Sequence, residues 1–314
     1  MSTSGDWFDD MPVVGKLPPE EAVVKLREIG EVEAAEMLEM AEEESAPTFG
    51  MPGIKGWGPF QEKPWQYTAH TFGYLAPAQP DGDALEPLPI SPIGGVKVDS
   101  SLQHARLKIT LDRLRVAAYP GGGTHHILVH CCVQNQTHGR SVPVHFNATY
   151  RVREGQQAAI RGFPIFVGVN VGSEGLIFKC RTINVKNEQD EAFLSFLESD
   201  AFKSGLQLII AAQPVIAPFS EMALGLAKMV ASRNRNVSVQ DFELGLDFSS
   251  MPMGARLAEG AYLAVQIPES QQTVWKWSEW VYDPASGQVV NKAVPGQLIP
   301  HNYLVFSVSR YEGA

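Results

Sequence analysis

Two periods of apolar and polar residues divide the chain. Before residue 45 apolar positions recur every three or four residues. Beyond residue 105 they alternate singly, with breaks rich in glycine or polar residues. The first period predicts a helical pair over 18–44. Pro18 and Pro19 followed by glutamates form a helix start, because proline in the first turn gives up only an N–H that has no helical partner. Val23, Leu26 and Ile29 share one helical face, Gly30 interrupts, and Val32, Ala35 and Leu38 form a second stripe. The second period predicts strands. In ARLKITLDRLRVAAY, Leu107, Ile109 and Leu111 take one side and Lys108, Thr110 and Asp112 the other. HILVHCCVQ, VPVHFNATYRV, FPIFVGVNV and GLIFKCRTINV follow, separated by PGGGT, QTHGR, EGQQ and GSEG. VSVQDFELGLDF is the cleanest amphipathic strand, with Phe242, Leu244, Leu246 and Phe248 opposite Asp241, Glu243 and Asp247. RLAEGAYLAVQIP, TVWKWSEWVYD and NYLVFSVSR complete the series, with a DPASG turn at 283–287.

Two helices interrupt the strands. One starts at Asn187 as N-cap, carries Phe193, Phe196 and Leu197, and stops at Gly205. The other is capped by Ser220 and carries Met222, Leu226 and Met229. The predicted fold is mainly β: an antiparallel two-sheet β-sandwich with these two inserted helices and an N-terminal helical pair. Its strand cadence is similar to that of C2-type modules. That likeness implies a fold and no residue roles.

Composition divides the chain further. Residues 1–45 are the acidic helical segment; within 18–44 stand ten glutamates against one lysine and one arginine. Residues 46–98 hold nine prolines and eight glycines by residue 95, together with Phe49, Trp57, Phe60, Trp65, Tyr67, Phe72 and Tyr74. A free tether rarely carries so many rings, since each exposes much apolar area. This stretch is read as an arm pinned by its aromatics, or a linker. Residues 99–314 form the β domain. The net charge of −10 disfavours nucleic acid, whose phosphates require clustered cations. Three cysteines make no disulfide framework, no run approaches a membrane span, and the N-terminus lacks an apolar signal segment. A cytoplasmic location is expected, and the Asn-X-Ser/Thr tripeptides at Asn135, Asn147 and Asn236 are discounted as glycosylation sites.

Candidate chemistry concentrates between His125 and His145, which contain five of the eight histidines and two of the three cysteines. Strand alternation disperses most of them. His126 and His130 stand ~13 Å apart, and Cys131 and Cys132 point to opposite faces. A turn centred near His138 and Gly139 sets His145 across from Cys132, so His130, Cys132 and His145 share a face within reach of one zinc ion. The plainer reading is two half-buried rings beside a small apolar thiol. A Cys132–His145 nucleophile pair would require an orienting third group and an oxyanion site. Asp241, Glu243 and Asp247 offer oxygens of the kind calcium takes. Trp275 and Trp277 are predicted on one strand face and Trp280 on the other, with ligand stacking as a further possibility.

The function expected from these features is a non-catalytic cytosolic interaction or adaptor protein. It would dock a protein partner through the acidic helices, with Val23, Leu26, Ile29, Val32 and Leu38 as anchors. Homo-oligomerisation is open. The alternatives are a metal-dependent enzyme with a His/Cys site on a β-hairpin and a calcium-linked, membrane-surface C2-like module.

Overall fold

The computed structural model describes residues 12–44, 63–77, 86–137, 140–160, 162–187, 189–190, 194, 216–249 and 254–313. Two helices open the described chain, α1 (Pro19–Glu28) and α2 (Val32–Glu44). They meet at Gly30, whose φ of 85° suits a residue without Cβ. The predicted helical pair and its break are therefore present. A third helix, α3 (Ile216–Ser232), corresponds to the second inserted helix. It begins four residues before the expected Ser220 cap, because Pro218 falls in its first turn, where a missing N–H removes no helical bond. Of the helix expected from Asn187 only residues 189, 190 and 194 are described. Asn187 accepts a hydrogen bond from the Gln189 N–H at 3.1 Å, as a cap does. Phe193, Phe196, Leu197 and Gly205 lie outside the described residues.

Among the described residues fourteen strands form three sheets, where the alternation predicted two. The six-stranded sheet combines β1 (Ala69–Leu75), β3 (Ser91–Pro92), β4 (Arg106–Arg115), β7 (Phe163–Asn170), β11 (Gly260–Ile267) and β14 (Tyr303–Arg310), in the order β3-β1-β11-β14-β4-β7. The five-stranded sheet runs β10 (Ala255–Arg256), β9 (Val237–Asp247), β8 (Gly175–Val185), β5 (Thr124–Thr137), β6 (Arg140–Arg153). The third contains β13 (Gln288–Asn291), β12 (Trp280–Asp283) and β2 (Leu88–Pro89). Every pairing is antiparallel except β9 with β10. Edge strands β2, β3, β6 and β7 each contain a proline, at 89, 92, 143 and 164. A proline there interrupts the open row of N–H groups that would otherwise template a further strand.

The two larger sheets share one core. Leu107, Ile109 and Leu111 of β4 and Leu304, Phe306 and Val308 of β14 meet Ile127, Val129 and Val133 of β5 and Leu244 and Leu246 of β9. These are the apolar sets that strict alternation selects. Val23, Leu26, Ile29, Ala35 and Leu38 of the helical pair belong to the same core. Part of the expected arm is also built in. Trp65 is fully buried in that core, and β1 pairs with β11 over seven residues. A second core, with Leu263, Val265, Tyr303, Val289 and Trp277, joins the opposite face of the six-stranded sheet to the small sheet. A third, smaller cluster (Leu128, Ile183, Val185, Leu194, Ala227 and Val230) seats α3 on the outer face of the five-stranded sheet.

Candidate functional site

The hairpin β5–β6 is in the register that its turn signal predicts. Thr137 pairs with Arg140 across residues 138 and 139, which places Cys132 opposite His145 and His130 opposite Asn147. On the other side of β5, His130 faces Arg181 and Cys132 faces Lys179; beyond them Arg181 faces Asp241 and Lys179 faces Glu243. Directly paired residues in an antiparallel sheet share a face. Two polar rows therefore cross the outer face of the five-stranded sheet: Asn147–His130–Arg181–Asp241 and His145–Cys132–Lys179–Glu243. The next row, with Leu128 and Ile183, turns apolar beneath α3.

The middle of the first row is deeply buried, with His130 0% and Arg181 1% exposed, whereas its ends, Asn147 and Asp241, are partly exposed. The Arg181 guanidinium meets the Asp241 carboxylate at 2.7 Å, and Lys179 meets Glu243 at 2.7 Å. A buried cation requires such a partner.

One acceptor fixes the proton positions of the histidine pair. The Asn147 amide lies 2.8 Å from the Ala223 carbonyl of α3. A carbonyl has no proton to give, so the amide must present its NH2 there and its oxygen to His130. His130 Nδ1, 2.6 Å from that oxygen, carries a proton. Its Nε2 is then an acceptor, filled by the Nδ1–H of His145 at 3.1 Å. His145 Nε2 in turn faces the Cys132 thiol at 3.9 Å. The result is one directed chain, thiol to imidazole to imidazole to amide to helix carbonyl. Burial, with Arg181 and Lys228 adding repulsion, lowers the His130 pKa to about 3 although Asn147 opposes the shift. Burial pushes the Cys132 thiol up to about 12.

These facts set what the group can do. A thiol held that high has almost no thiolate at neutral pH, so Cys132 lacks the activation a nucleophile requires. His130, Cys132 and His145 do share a face, as predicted. They form a line rather than a convergent set, because His145 turns different nitrogens toward His130 and Cys132. Among the described residues no three His, Cys, Asp or Glu side chains are grouped to hold a metal ion. The calcium candidates are separately engaged: Asp241 with Arg181, Glu243 with Lys179, and Asp247 with the Ser249 N–H and hydroxyl.

The other sequence-selected residues fall as follows. Val23, Leu26, Ile29 and Leu38 are buried in the protein's own core, whereas Val32 is 49% exposed. Trp275, Trp277 and Trp280 form one cluster: Trp275 stacks on Trp280 at 6.1 Å and meets Trp277 edge-on at 5.6 Å. The predicted split between two faces fails because a 3-10 turn at Trp277–Glu279 replaces the strand that the alternation assumed. Asn147 and Arg181 were missed as site residues. Both were accessible in principle: once the turn is fixed at 138–139, alternation alone sets Asn147 opposite His130. The tripeptide at Asn236 is structural. Asn236 is fully buried; it donates to Asp190 and the Val230 carbonyl and accepts from the Lys186 and Asn187 N–H groups.

No family model, curated protein or solved structure matches the chain.

Proposed function

We propose that this is a non-catalytic cytoplasmic interaction protein: a two-sheet β-sandwich of C2-like cadence that docks a protein partner through the outward faces of α1 and α2. One observation carries the reading. The helical pair turns its best apolar stripe inward and still leaves Val24 60%, Val32 49% and Met40 63% exposed. Those three side chains stand among the exposed acids Glu20, Glu21, Glu33 and Glu36. An Arg27–Glu39 ion pair at 2.7 Å joins the two outward faces into one surface. A fitting partner is a segment with apolar side chains flanked by lysine or arginine; complementary charge supplies its orientation and capture rate. Of the five expected anchors, Val23, Leu26, Ile29 and Leu38 are buried in the protein's own core and are not available to a partner; Val32 alone belongs to the docking face. The protonated thiol and neutral histidine chain agree with a binding rather than a catalytic role. The three free thiols suit a reducing compartment. Among the described residues no helix is long and apolar enough to cross a membrane.

Replacing Val24, Val32 and Met40 together by lysine tests the proposal. Partner capture by the full-length protein should disappear and should weaken with salt in the unsubstituted protein, while the melting temperature stays put because none of the three side chains is in the core. Capture of the same proteins by the triple variant overturns it.

A further inference from the structure

We propose that the chain Cys132–His145–His130–Asn147 is an acid-released latch that holds α3 against the five-stranded sheet. The geometry comes first. Asn147 is the polar link from this chain to the helix, through the Ala223 carbonyl at 2.8 Å. Its oxygen is held in place by His130 at 2.6 Å, and His130 by His145 at 3.1 Å. The apolar seat beside this link contains Ala227 and Val230 of α3 with Leu128, Ile183, Val185 and Leu194, and Leu224, Leu226 and Ala231 pack at its edge. Asn236 also donates to the Val230 carbonyl at 2.8 Å, so Asn147 holds the Ala223 end of the helix and Asn236 the Val230 end.

A proton added to the pair makes one imidazole a cation. His145 can shift its own proton to Nε2 and accept from His130 Nε2–H across the same 3.1 Å contact, so the hydrogen bond persists and the cost is that of burying the charge. The surroundings offer the new charge no relief. Arg181 and Lys179 approach from β8 and Lys228 from α3; the acids on β9, Asp241 and Glu243, are already paired with the two β8 cations. An imidazolium there is buried among cations, so its stable position is in water. β5 cannot supply that water by moving, because it is paired with β6 along its whole length and with β8 from His126 to Val133. The cover that can move is α3. Its departure hydrates the pair and uncovers Leu128, Ile183 and Val185. The helix already carries an apolar outer side, with Met222 and Met229 exposed, so release yields two apolar surfaces where the closed form has one.

Hydrogen exchange on the full-length protein tests this, read by mass spectrometry between pH 7.5 and 5.5 and corrected for intrinsic exchange. Protection of peptides covering 216–232 should fall by about tenfold per pH unit below 6.5, the slope for uptake of one proton on opening. Peptides from β11 and β14 should stay better protected than α3 at every pH, their own loss following the stability of the whole fold rather than the one-proton slope of the helix. His130→Gln can still donate to Asn147 and cannot become charged; it should flatten the pH dependence of the helix. Asn147→Ala, which cuts the link and also removes the acceptor of His130 Nδ1, should leave the helix poorly protected at pH 7.5. The latch is overturned if α3 and the two core strands share one level of protection and one pH slope, if α3 is indifferent to pH, or if its one-proton slope persists in His130→Gln.

Discussion

Phe178 of β8 and Phe306 of β14 stack with ring centroids 4.4 Å apart and planes 29° from parallel, one ring from each of the two large sheets. Tyr262 continues the column on one side at 5.6 Å and Phe242 on the other at 6.3 Å. Both phenylalanines are essentially fully buried. Phe178→Ala should therefore destabilise by roughly 3–5 kcal/mol, the range for removing a buried ring and leaving a cavity. Combined with Phe306→Ala the cost should fall short of the sum by about 1 kcal/mol, because the second deletion removes a contact already lost. Urea denaturation of the two single variants and the double variant measures both quantities. Additive losses would mean that the rings do not couple the sheets.

Arg181 and Asp241 make the complementary case, a polar pair in the same sheet. Asp241→Asn leaves the guanidinium, 1% exposed, without its charge partner and should cost about 3 kcal/mol. Replacing both residues by apolar ones of similar size, Arg181→Met with Asp241→Leu, should recover most of that loss, since the desolvation penalty goes with the charge. The difference between the two denaturation midpoints is the measurement. A double variant no more stable than Asp241→Asn would show that the pair contributes by more than mutual compensation.

Alternation is the part of this fold most legible in the sequence, and the hairpin shows why. A period of two assigns each residue a face, and a turn of fixed position assigns each residue a partner. Together they place Cys132 opposite His145 without further information. The helical pair shows the limit. A stripe of Val23, Leu26 and Ile29 says which side of a helix is apolar, not what covers it. The core of the same chain covers it here, and the docking face must be sought among side chains that break the stripe, such as Val24. The third sheet was illegible for a different reason. β12 and β13 are four residues each and β2 is two, too short for alternation to register. Trp275 and Trp280 were assigned to opposite faces because nothing in WKWSEW announces the 3-10 turn between them.

Cysteine reactivity separates a structural thiol from a nucleophile. Cys131 and Cys180 face the shared core with sulfurs 3.8 Å apart, and Cys132 belongs to the second outer polar row, between His145 and Lys179. All three are buried, and burial raises the pKa of Cys132 and Cys180. An alkylating reagent at pH 7.5 should modify none of them within minutes in the folded protein and all three in denaturant. Intact-mass spectrometry reads the count directly. Rapid single labelling at Cys132 would restore the nucleophile reading.

The buried histidines set the acid limit of the whole fold. His125 and His301 are held to about 4 and His70 and His130 to about 3, each chiefly by burial, against an ordinary value of 6.5. The unfolded chain therefore binds protons below pH 6.5 that the folded chain refuses. Stability must fall as pH drops through that value, and the fall continues until the folded groups titrate near 4. Each histidine contributes about 1.4 kcal/mol per pH unit in that window, so four together reach roughly 5–6 kcal/mol per unit. Typical domains have only about 5–15 kcal/mol in hand, so unfolding should begin well above the pH at which any of these rings ionises in place. Above pH 7 the four contribute little slope. Urea midpoints at pH 7.5, 6.5 and 5.5 should show little change over the first step and a marked drop over the second. An equal midpoint at all three values would mean that these rings reach solvent in the folded protein. Their burial, and with it the outer polar rows and the packing of His301 against Trp275 and Tyr67, would then be wrong.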